Sequence, residues 1–163
     1  MPGGTRSVHT HVLDADEVSE RLWVGSAPSR GGLVAESGFT HVALCAVQHQ
    51  PPASDYPGVT VLHCPYEDDD SIMSAQTMTM VVLAARAVAE AHRNGGNVLV
   101  TCQAGVNRSA HVAALALQML GVEPWASVER IRAQRMNGCL SNECFLRVAL
   151  GRNRAIGHYT GAA

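Results

Sequence analysis

Cys102 and Arg108 stand six positions apart and are the two residues of this 163-residue chain best suited to chemistry on an anion. The residues between them are Gln103, Ala104, Gly105, Val106 and Asn107. A loop of this length can curl around a tetrahedral group, because successive backbone N–H groups then converge on its oxygens. The pattern therefore predicts a phosphate-binding loop over residues 103–108.

The side chains around this loop suit nucleophilic attack on phosphorus. Positive potential at a helix N-terminus favours the thiolate form of Cys102, which is the nucleophilic form. Arg108 carries a planar fork of donors that matches two phosphate oxygens. Ser109 can donate a hydrogen bond to the sulfur and help it leave in a second step. We therefore predict catalysis by Cys102, Arg108 and Ser109, with no metal and no organic cofactor.

The sequence around Cys102 and Arg108 supports a functional interpretation of their spacing. The spacing alone would occur by chance in about a third of chains with this cysteine and arginine content. Here an apolar run at 98–100 precedes the loop, Gly105 lies within it, and a long apolar segment at 107–120 follows it. Glycine accepts backbone angles that other residues resist. The combination favours a functional loop over coincidence.

Four consecutive acidic residues supply candidates for proton transfer. They are Glu67, Asp68, Asp69 and Asp70, which lie 32 to 35 positions before Cys102. Transfer of a phosphoryl group to sulfur leaves a basic oxygen on the substrate, and a positioned carboxylic acid protonates it. The alternative interpretation is a solvated acidic turn or a cap for the next helix, and at least two of the four acids fit that description.

The elements that must position these residues indicate an α/β domain. Apolar runs predict strands over residues 18–25, 40–47, 59–64 and 97–101. Helical spacing predicts helices over residues 30–37, 74–94, 107–120, 124–135 and 142–154. Strands that alternate with helices predict a central sheet covered by helices. Ligands of such sheets bind beyond the carboxyl ends of strands, which is where Cys102 falls.

Four segments resemble the protein tyrosine phosphatases, and in particular their dual-specificity branch. CQAGVNRSA at 102–110 is similar to the signature loop HCxxGxxR(S/T) of that family. Three further matches are LWVGS at 22–26 to the LYLGS strand, CPYED at 64–68 to the stretch before the general-acid loop, and SNECF at 141–145 to the NxxF element. The resemblance covers about residues 18–150. It implies a central mixed, largely parallel sheet flanked by helices.

The resemblance also implies roles for individual residues. Asp68 best fits the family's PxxD pattern for the general acid, Asp70 fits the distance to the cysteine in some relatives, and Asp69 is the third choice. Asn142 corresponds to a residue that braces the phosphate loop, and a helix N-cap is an equal interpretation. Thr101 stands where the family usually has a histidine that helps to order the loop, and it offers a hydroxyl in place of an imidazole.

The same resemblance implies phosphate monoesters as substrates, with phosphotyrosine or phosphoserine and phosphothreonine in proteins as the leading class. The pair Asn107-Arg108 also occurs in related RNA 5'-triphosphatases, so the RNA 5' end is the runner-up substrate. Residues 103–107 include no lysine or arginine, which disfavours inositol lipids. A third interpretation is a catalytically impaired phosphate-binding module, which only Thr101 favours.

Composition restricts the remaining possibilities. The formal net charge is -2, so no general basic field attracts nucleic acid or an anionic membrane. The five cysteines are odd in number and form no CxxC pair, which favours reduced thiols in a cytoplasmic protein over a disulfide framework or a zinc site. We predict one catalytic domain over residues 16–157, between tails at 1–15 and 158–163.

Overall fold

A computed structural model of the chain describes residues 13–151, which form five strands and five α-helices. The strands are β1 (Ala15–Ser19), β2 (Leu22–Ser26), β3 (His41–Leu44), β4 (Thr60–His63) and β5 (Val98–Cys102). The helices are α1 (Gly32–Glu36), α2 (Ala75–Arg93), α3 (Arg108–Met119), α4 (Pro124–Gln134) and α5 (Glu143–Ala149). A short 3-10 helix covers Ala53–Asp55.

The strands form one sheet in the order β1-β2-β5-β3-β4. β2, β5, β3 and β4 run parallel, and β1 pairs with β2 in the antiparallel direction. The prediction of a mixed, largely parallel sheet is therefore confirmed. All five residues of the central strand β5 are buried, because both faces of the sheet are covered there.

Alternation along β5 divides the interior into two clusters. Val98, Val100 and Cys102 face the larger cluster, which α2, α3, α4 and α5 close. Leu99 faces the smaller cluster, where Trp23 packs edge-to-face on Phe39 with ring centroids 5.6 Å apart. Because successive side chains of a strand point to opposite faces, Cys102 points into the layer that contains α3.

The longest helix, α2, has clear signals at both ends. It begins where the Ser74 hydroxyl accepts a hydrogen bond from the Thr77 backbone N–H at 3.1 Å. It ends before Gly95, whose positive φ of 86° leads the chain out of the helix. These bounds agree with the helix predicted over residues 74–94. Neither α2 nor any other helix within residues 13–151 is long and apolar enough to cross a membrane.

The single strand predicted over residues 18–25 is wrong, because the structure divides it into β1 and β2. A turn at Glu20 and Arg21 separates the two strands, and Arg21 has a positive φ of 60°. The Arg21 Nη1 donates to the carbonyl oxygens of His92 and Gly96, each at 3.0 Å, so tertiary contacts support the turn. Neither turn residue is a usual turn former, and the sequence pattern therefore hid the break.

The predicted domain boundaries are only partly covered by the described residues. Most of the predicted tail at 1–15 and the whole of the tail at 158–163 lie outside them. Leu13 is buried and Ala15 begins β1. The packed part of the chain therefore begins before residue 16.

Candidate active site

The phosphate loop predicted over residues 103–108 connects the end of β5 to the start of α3. Four successive carbonyl groups accept hydrogen bonds from outside the loop: Gln103 from Ala27 N (3.2 Å), Ala104 from Arg135 Nη2 (3.3 Å), Gly105 from Arg135 Nε (3.2 Å) and Val106 from Leu140 N (3.0 Å). No backbone N–H group of residues 103–107 donates to another residue of the described range. The loop thus anchors its carbonyls and leaves its N–H groups available for the oxygens of an anion.

Two glycines allow close backbone contacts at β2, one with the phosphate loop and one with the start of β1. Gly105 has a positive φ of 67°, which favours glycine. A Cβ atom on Gly105 would stand 2.6 Å from the carbonyl carbon of Gly25. A Cβ atom on Gly25 would stand 2.5 Å from the carbonyl oxygen of Asp14. Neither position has room for a side chain, so Gly105 permits the loop to approach β2, and Gly25 permits β2 to approach Asp14 and Ala15.

Cys102 ends β5 with its sulfur beside the first turn of α3. The residue is 2% exposed, and Ser109 is fully buried. The Cys102 Sγ lies 3.2 Å from the Ser109 Oγ, within range for a hydrogen bond from the hydroxyl to a thiolate. This contact is the one that the predicted role of Ser109 requires.

Arg108 is the first residue of α3, and its guanidinium is buried beside the loop. Nη1 donates to the Tyr66 carbonyl at 3.2 Å, and the Tyr66 hydroxyl donates to the Arg108 carbonyl at 2.6 Å. The buried Nε has no hydrogen-bond partner among residues 13–151. A buried donor without a partner is costly, and an oxyanion bound at the loop would supply the acceptor.

The acidic residues lie on the segment between β4 and α2, and their side chains are exposed. Asp68 contacts the phosphate loop, because its Oδ2 accepts from Asn107 Nδ2 at 3.1 Å. Asp69 accepts from the Ser71 backbone N–H at 2.8 Å, and this hydrogen bond lowers the pKa of Asp69. Asp70 has no hydrogen bond or ion pair within the described part of the chain. Of the three aspartates, Asp68 is the one whose side chain hydrogen-bonds the phosphate loop.

Asn142 caps α5 and also contacts the acidic segment. Its Oδ1 accepts from the Phe145 backbone N–H at 3.1 Å, which is an N-cap hydrogen bond. Its Nδ2 donates to Asp68 Oδ1 and to the Asp69 carbonyl, both at 2.9 Å. Its backbone N–H donates to Asn107 Oδ1 at 3.0 Å. The cap and the brace, which the sequence left as alternatives, are both present as contacts.

Thr101 is buried and precedes Cys102 on β5. Its hydroxyl donates to the Ala43 carbonyl on β3 at 3.4 Å. This hydrogen bond goes to the neighbouring strand and not to the phosphate loop, which differs from the predicted support of the loop by Thr101. The physical reason is the alternation of the strand, since the residue next to Cys102 faces the opposite layer.

His111, one turn into α3, belongs to the core behind the loop. It is fully buried and stacks on Phe145, with ring centroids 4.8 Å apart. Burial lowers the pKa of His111 to about 3, so the imidazole is neutral. It packs as an aromatic ring and carries no charge to the site.

Arg135, which the sequence pattern did not single out, supports the loop from behind with its side chain. The side chain is 1% exposed, and it donates to two loop carbonyls and to the carboxylates of Asp14 and Asp16 at 2.7 and 2.8 Å. Burial opposes its charge, but the hydrogen bonds and charges of Asp14 and Asp16 outweigh that cost and raise the pKa of Arg135. A signal existed: Arg135 continues the apolar face of α4 that holds Val128 and Ile131.

The remaining cysteines form no disulfide in the structure. Cys45 and Cys64 lie side by side at the ends of β3 and β4, with their sulfurs 3.7 Å apart. The hydrogen bond between them and burial raise the pKa of Cys45. Within residues 13–151, no group of three or more His, Cys, Asp or Glu side chains could hold a metal ion.

A buried sulfur with a hydroxyl donor and a guanidinium, at a loop on this sheet, is the arrangement of a cysteine-dependent phosphatase. The family model of the dual specificity phosphatase catalytic domain matches residues 22–147. The chain therefore belongs to the dual specificity phosphatase family, and the resemblance inferred from its sequence is confirmed. No curated protein sequence matches the chain significantly.

Solved structures with low sequence identity share the fold. A mouse protein assigned to the dual specificity phosphatases and solved with zinc tungstate is 24% identical, with a TM-score of 0.73 and 96% of each chain covered. Human DUSP28 is 23% identical, with a TM-score of 0.71 and coverage of 91% of this chain and 97% of its own. PTPMT1 in complex with PI(5)P is 16% identical, with a TM-score of 0.65 and coverage of 85% and 96%.

Proposed function

We propose that this chain hydrolyses phosphate monoesters on protein side chains, on tyrosine or on serine and threonine, through a cysteinyl-phosphate intermediate. One observation carries the proposal. The Cys102 sulfur lies 3.2 Å from the Ser109 hydroxyl, at a loop beside which the Arg108 guanidinium keeps a buried, unpartnered N–H within the described residues. That set of groups can attack phosphorus, hold its oxygens and stabilise the departing sulfur.

The first step transfers the phosphoryl group to sulfur. A lone pair of the Cys102 thiolate forms the S–P bond while the P–O ester bond breaks and its electron pair moves to the leaving oxygen. Asp68 gives its proton to that oxygen. Arg108 and the loop N–H groups hold the other three oxygens, whose charge is greatest in the transition state.

The second step releases phosphate. A water oxygen forms a new bond to phosphorus while the S–P bond breaks and its electron pair returns to Cys102. The Asp68 carboxylate accepts a proton from that water, which restores the acid for the next cycle. The Ser109 hydroxyl donates to the departing sulfur and stabilises its negative charge.

Negative charge beside the phosphate loop supports a protein substrate over a polyanionic one. Exposed acids at 67–70 line a cleft with Asn107, Ser141 and Asn142. A lipid headgroup with several phosphates, or an RNA 5' end, would bring further negative charge against these carboxylates. PTPMT1, which shares the fold, was solved with PI(5)P, so PI(5)P belongs among the substrates tested.

An RNA 5'-phosphatase is the second candidate, and the Asn107-Arg108 pair is the feature that favours it. In this chain, however, Asn107 contacts Asp68, the group that a monoester phosphatase uses as an acid. The two candidates differ in their need for that acid. Phosphate release from triphosphate-ended RNA that persists in Asp68→Ala would favour the RNA candidate and contradict the protein-substrate proposal.

The test of the chemistry is hydrolysis of an aryl phosphate by wild type and by Cys102→Ser. The matched control is Cys144→Ser, because Cys144 is a free cysteine on α5 and is not part of the phosphate loop. We expect a loss of about 10³-fold or more in Cys102→Ser and wild-type activity in Cys144→Ser. Intact mass spectrometry after rapid acid quench should show phosphate on the wild type and none on Cys102→Ser. Undiminished turnover in Cys102→Ser would refute the mechanism.

The test of the substrate class compares phosphotyrosyl, phosphoseryl and phosphothreonyl peptides with PI(5)P and triphosphate-ended RNA at matched concentration. The proposal predicts the highest kcat/KM on a peptide. A higher kcat/KM on PI(5)P or RNA would refute the protein-substrate proposal and leave the cysteine mechanism intact.

A further inference from the structure

Asn107 is the last residue of the phosphate loop and stands at the N-cap position of α3. An asparagine at this position usually caps the helix with its side chain. Here the backbone of Asn107 is helical, with φ of -112° and ψ of -63°, and the side chain makes no cap hydrogen bond. Its amide group is used for other contacts.

Both ends of the Asn107 amide have partners. Nδ2 donates to Asp68 Oδ2 at 3.1 Å. Oδ1 accepts from the Asn142 backbone N–H at 3.0 Å and from the Ser141 hydroxyl at 3.2 Å. This pattern fixes the orientation of the amide. In a flipped amide, Oδ1 would face the Asp68 carboxylate oxygen, and the NH2 group would face the Asn142 backbone N–H.

The Asp68 carboxyl is consequently held from two directions. Asn142 Nδ2 donates to Asp68 Oδ1 at 2.9 Å, and Asn107 Nδ2 donates to the other oxygen. Each carboxyl oxygen keeps a further lone pair, which can carry the acid proton. Only Asn107 belongs to the loop that binds the phosphate. It is therefore the direct link between the phosphate and the acid.

We propose that Asn107 is a positioning residue for proton transfer, whose amide ties the Asp68 carboxyl to the phosphate loop. The inference rests on the proposed function, in which Asp68 protonates the leaving oxygen. As the P–O bond breaks, its electron pair goes to the ester oxygen, and the O–H bond of Asp68 breaks to place the proton there. Without the hydrogen bond from Asn107, the Asp68 carboxyl is misplaced for this transfer, while Arg108 still binds the phosphate.

The test compares two esters that differ in their need for an acid. The leaving group of p-nitrophenyl phosphate departs as a stable anion, whereas that of phenyl phosphate needs a proton. We expect Asn107→Ala to lower kcat by about 10- to 100-fold on phenyl phosphate and by about threefold on p-nitrophenyl phosphate. Inhibition by inorganic phosphate should stay within about twofold of wild type, because Arg108 and the loop N–H groups provide that binding.

Two further variants test the contacts of the amide nitrogen and of the amide oxygen of Asn107 separately. Asn107→Asp keeps the oxygen that faces Ser141 and Asn142 but sets a carboxylate oxygen against Asp68. We expect Asn107→Asp to lower kcat on phenyl phosphate, relative to p-nitrophenyl phosphate, by at least as much as Asn107→Ala does. Ser141→Ala removes one of the two donors to Asn107 Oδ1 but keeps the Asn142 N–H and the contact to Asp68. We therefore expect a smaller difference between the two esters than in Asn107→Ala.

Two outcomes would overturn the inference. One is an equal loss on both esters in Asn107→Ala, which would mean a general structural effect. The other concerns the double variant: Asn107→Ala lowers kcat by the same factor in an Asp68→Ala background as in the wild type, which would mean that the amide does not act through Asp68. Cys102→Ser in the same assay separates these outcomes from failure of the proposed function, since full activity of that variant would refute the mechanism itself.

Discussion

The two sides of the active site are attached to the molecule in different ways. The phosphate loop has four successive carbonyls anchored from behind, two of them by the buried Arg135. The acidic segment at 67–70 is exposed, and its contacts to the loop side of the site come from the amides of Asn107 and Asn142. The part that binds phosphate is thus built on the core, and the part that moves a proton is held at the surface.

This difference has an energetic consequence. Removing one partner of a buried ion pair costs about 3–5 kcal/mol, whereas a typical hydrogen bond contributes about 0.5–1.5 kcal/mol. Substitutions beneath the phosphate loop should therefore lower stability and phosphate binding together. Substitutions in the acidic segment should change the chemistry and leave the free energy of unfolding close to that of the wild type.

Arg135→Met is the strongest test of the buried side. The change removes the donor from the carbonyls of Ala104 and Gly105 and leaves two carboxylates without its charge. Because the Asp14 side chain is 56% exposed, solvent screens part of the loss, and we expect a decrease of about 3 kcal/mol in the free energy of unfolding. Urea unfolding measures this decrease, and inorganic phosphate should inhibit the variant more weakly.

The control for this substitution is Arg30→Met. Arg30 pairs with Glu36 through two hydrogen bonds of 2.9 Å, but both side chains are more than half exposed. We expect its urea midpoint and its inhibition by phosphate to match the wild type. If Arg135→Met behaved in the same way, the loop would not depend on the buried arginine and the contrast between the two sides would fail.

Local sequence patterns were sufficient to predict the phosphate loop and the elements around it. The apolar run of β5, the glycine at 105 and the apolar segment of α3 all act within a few residues of Cys102, so their pattern is visible in the sequence. The helix α2 is equally local, since Ser74 and Gly95 mark its two ends.

Tertiary contacts were the part that the sequence could not supply. Arg135 lies 30 positions from Gly105, and Asn107 lies 39 positions from Asp68, so no local pattern records either contact. The turn at Arg21 depends in the same way on carbonyls more than 70 positions away. The family resemblance carried the choice of Asp68, because the run of four acids gave no order by itself.

His111 tests the buried side through the pH dependence of stability. Burial lowers the pKa of His111 from 6.5 to about 3, so between these values the unfolded chain takes up a proton that the folded protein does not. Stability therefore falls as the pH falls through this window. Between pH 7 and pH 5, urea unfolding should show a loss about 2 kcal/mol larger in the wild type than in His111→Leu, which cannot take up that proton. Equal losses would mean that the folded protein also protonates His111.

Asp69→Asn tests the exposed side and has the smallest expected effect. The Ser71 N–H lowers the pKa of Asp69, so this carboxylate keeps its charge to a lower pH than an ordinary aspartate. A general acid must carry a proton at the working pH, which makes Asp69 the poorer acid. The variant keeps an oxygen for the Ser71 hydrogen bond. We therefore expect kcat on phenyl phosphate within about twofold of wild type, against a loss of about 10²-fold or more in Asp68→Asn.

The pH–rate profile decides between these neighbouring carboxyls. Asp69→Asn should reproduce the wild-type profile, because in the proposed mechanism Asp68, and not Asp69, gives the proton to the leaving oxygen. Asp68→Asn should lose the part of the profile that requires a protonated acid. An equal loss in both variants would assign the proton transfer to the whole acidic segment. The amide of Asn107 would then hold only one of several equivalent acids, and the surface side of the site would need no fixed geometry.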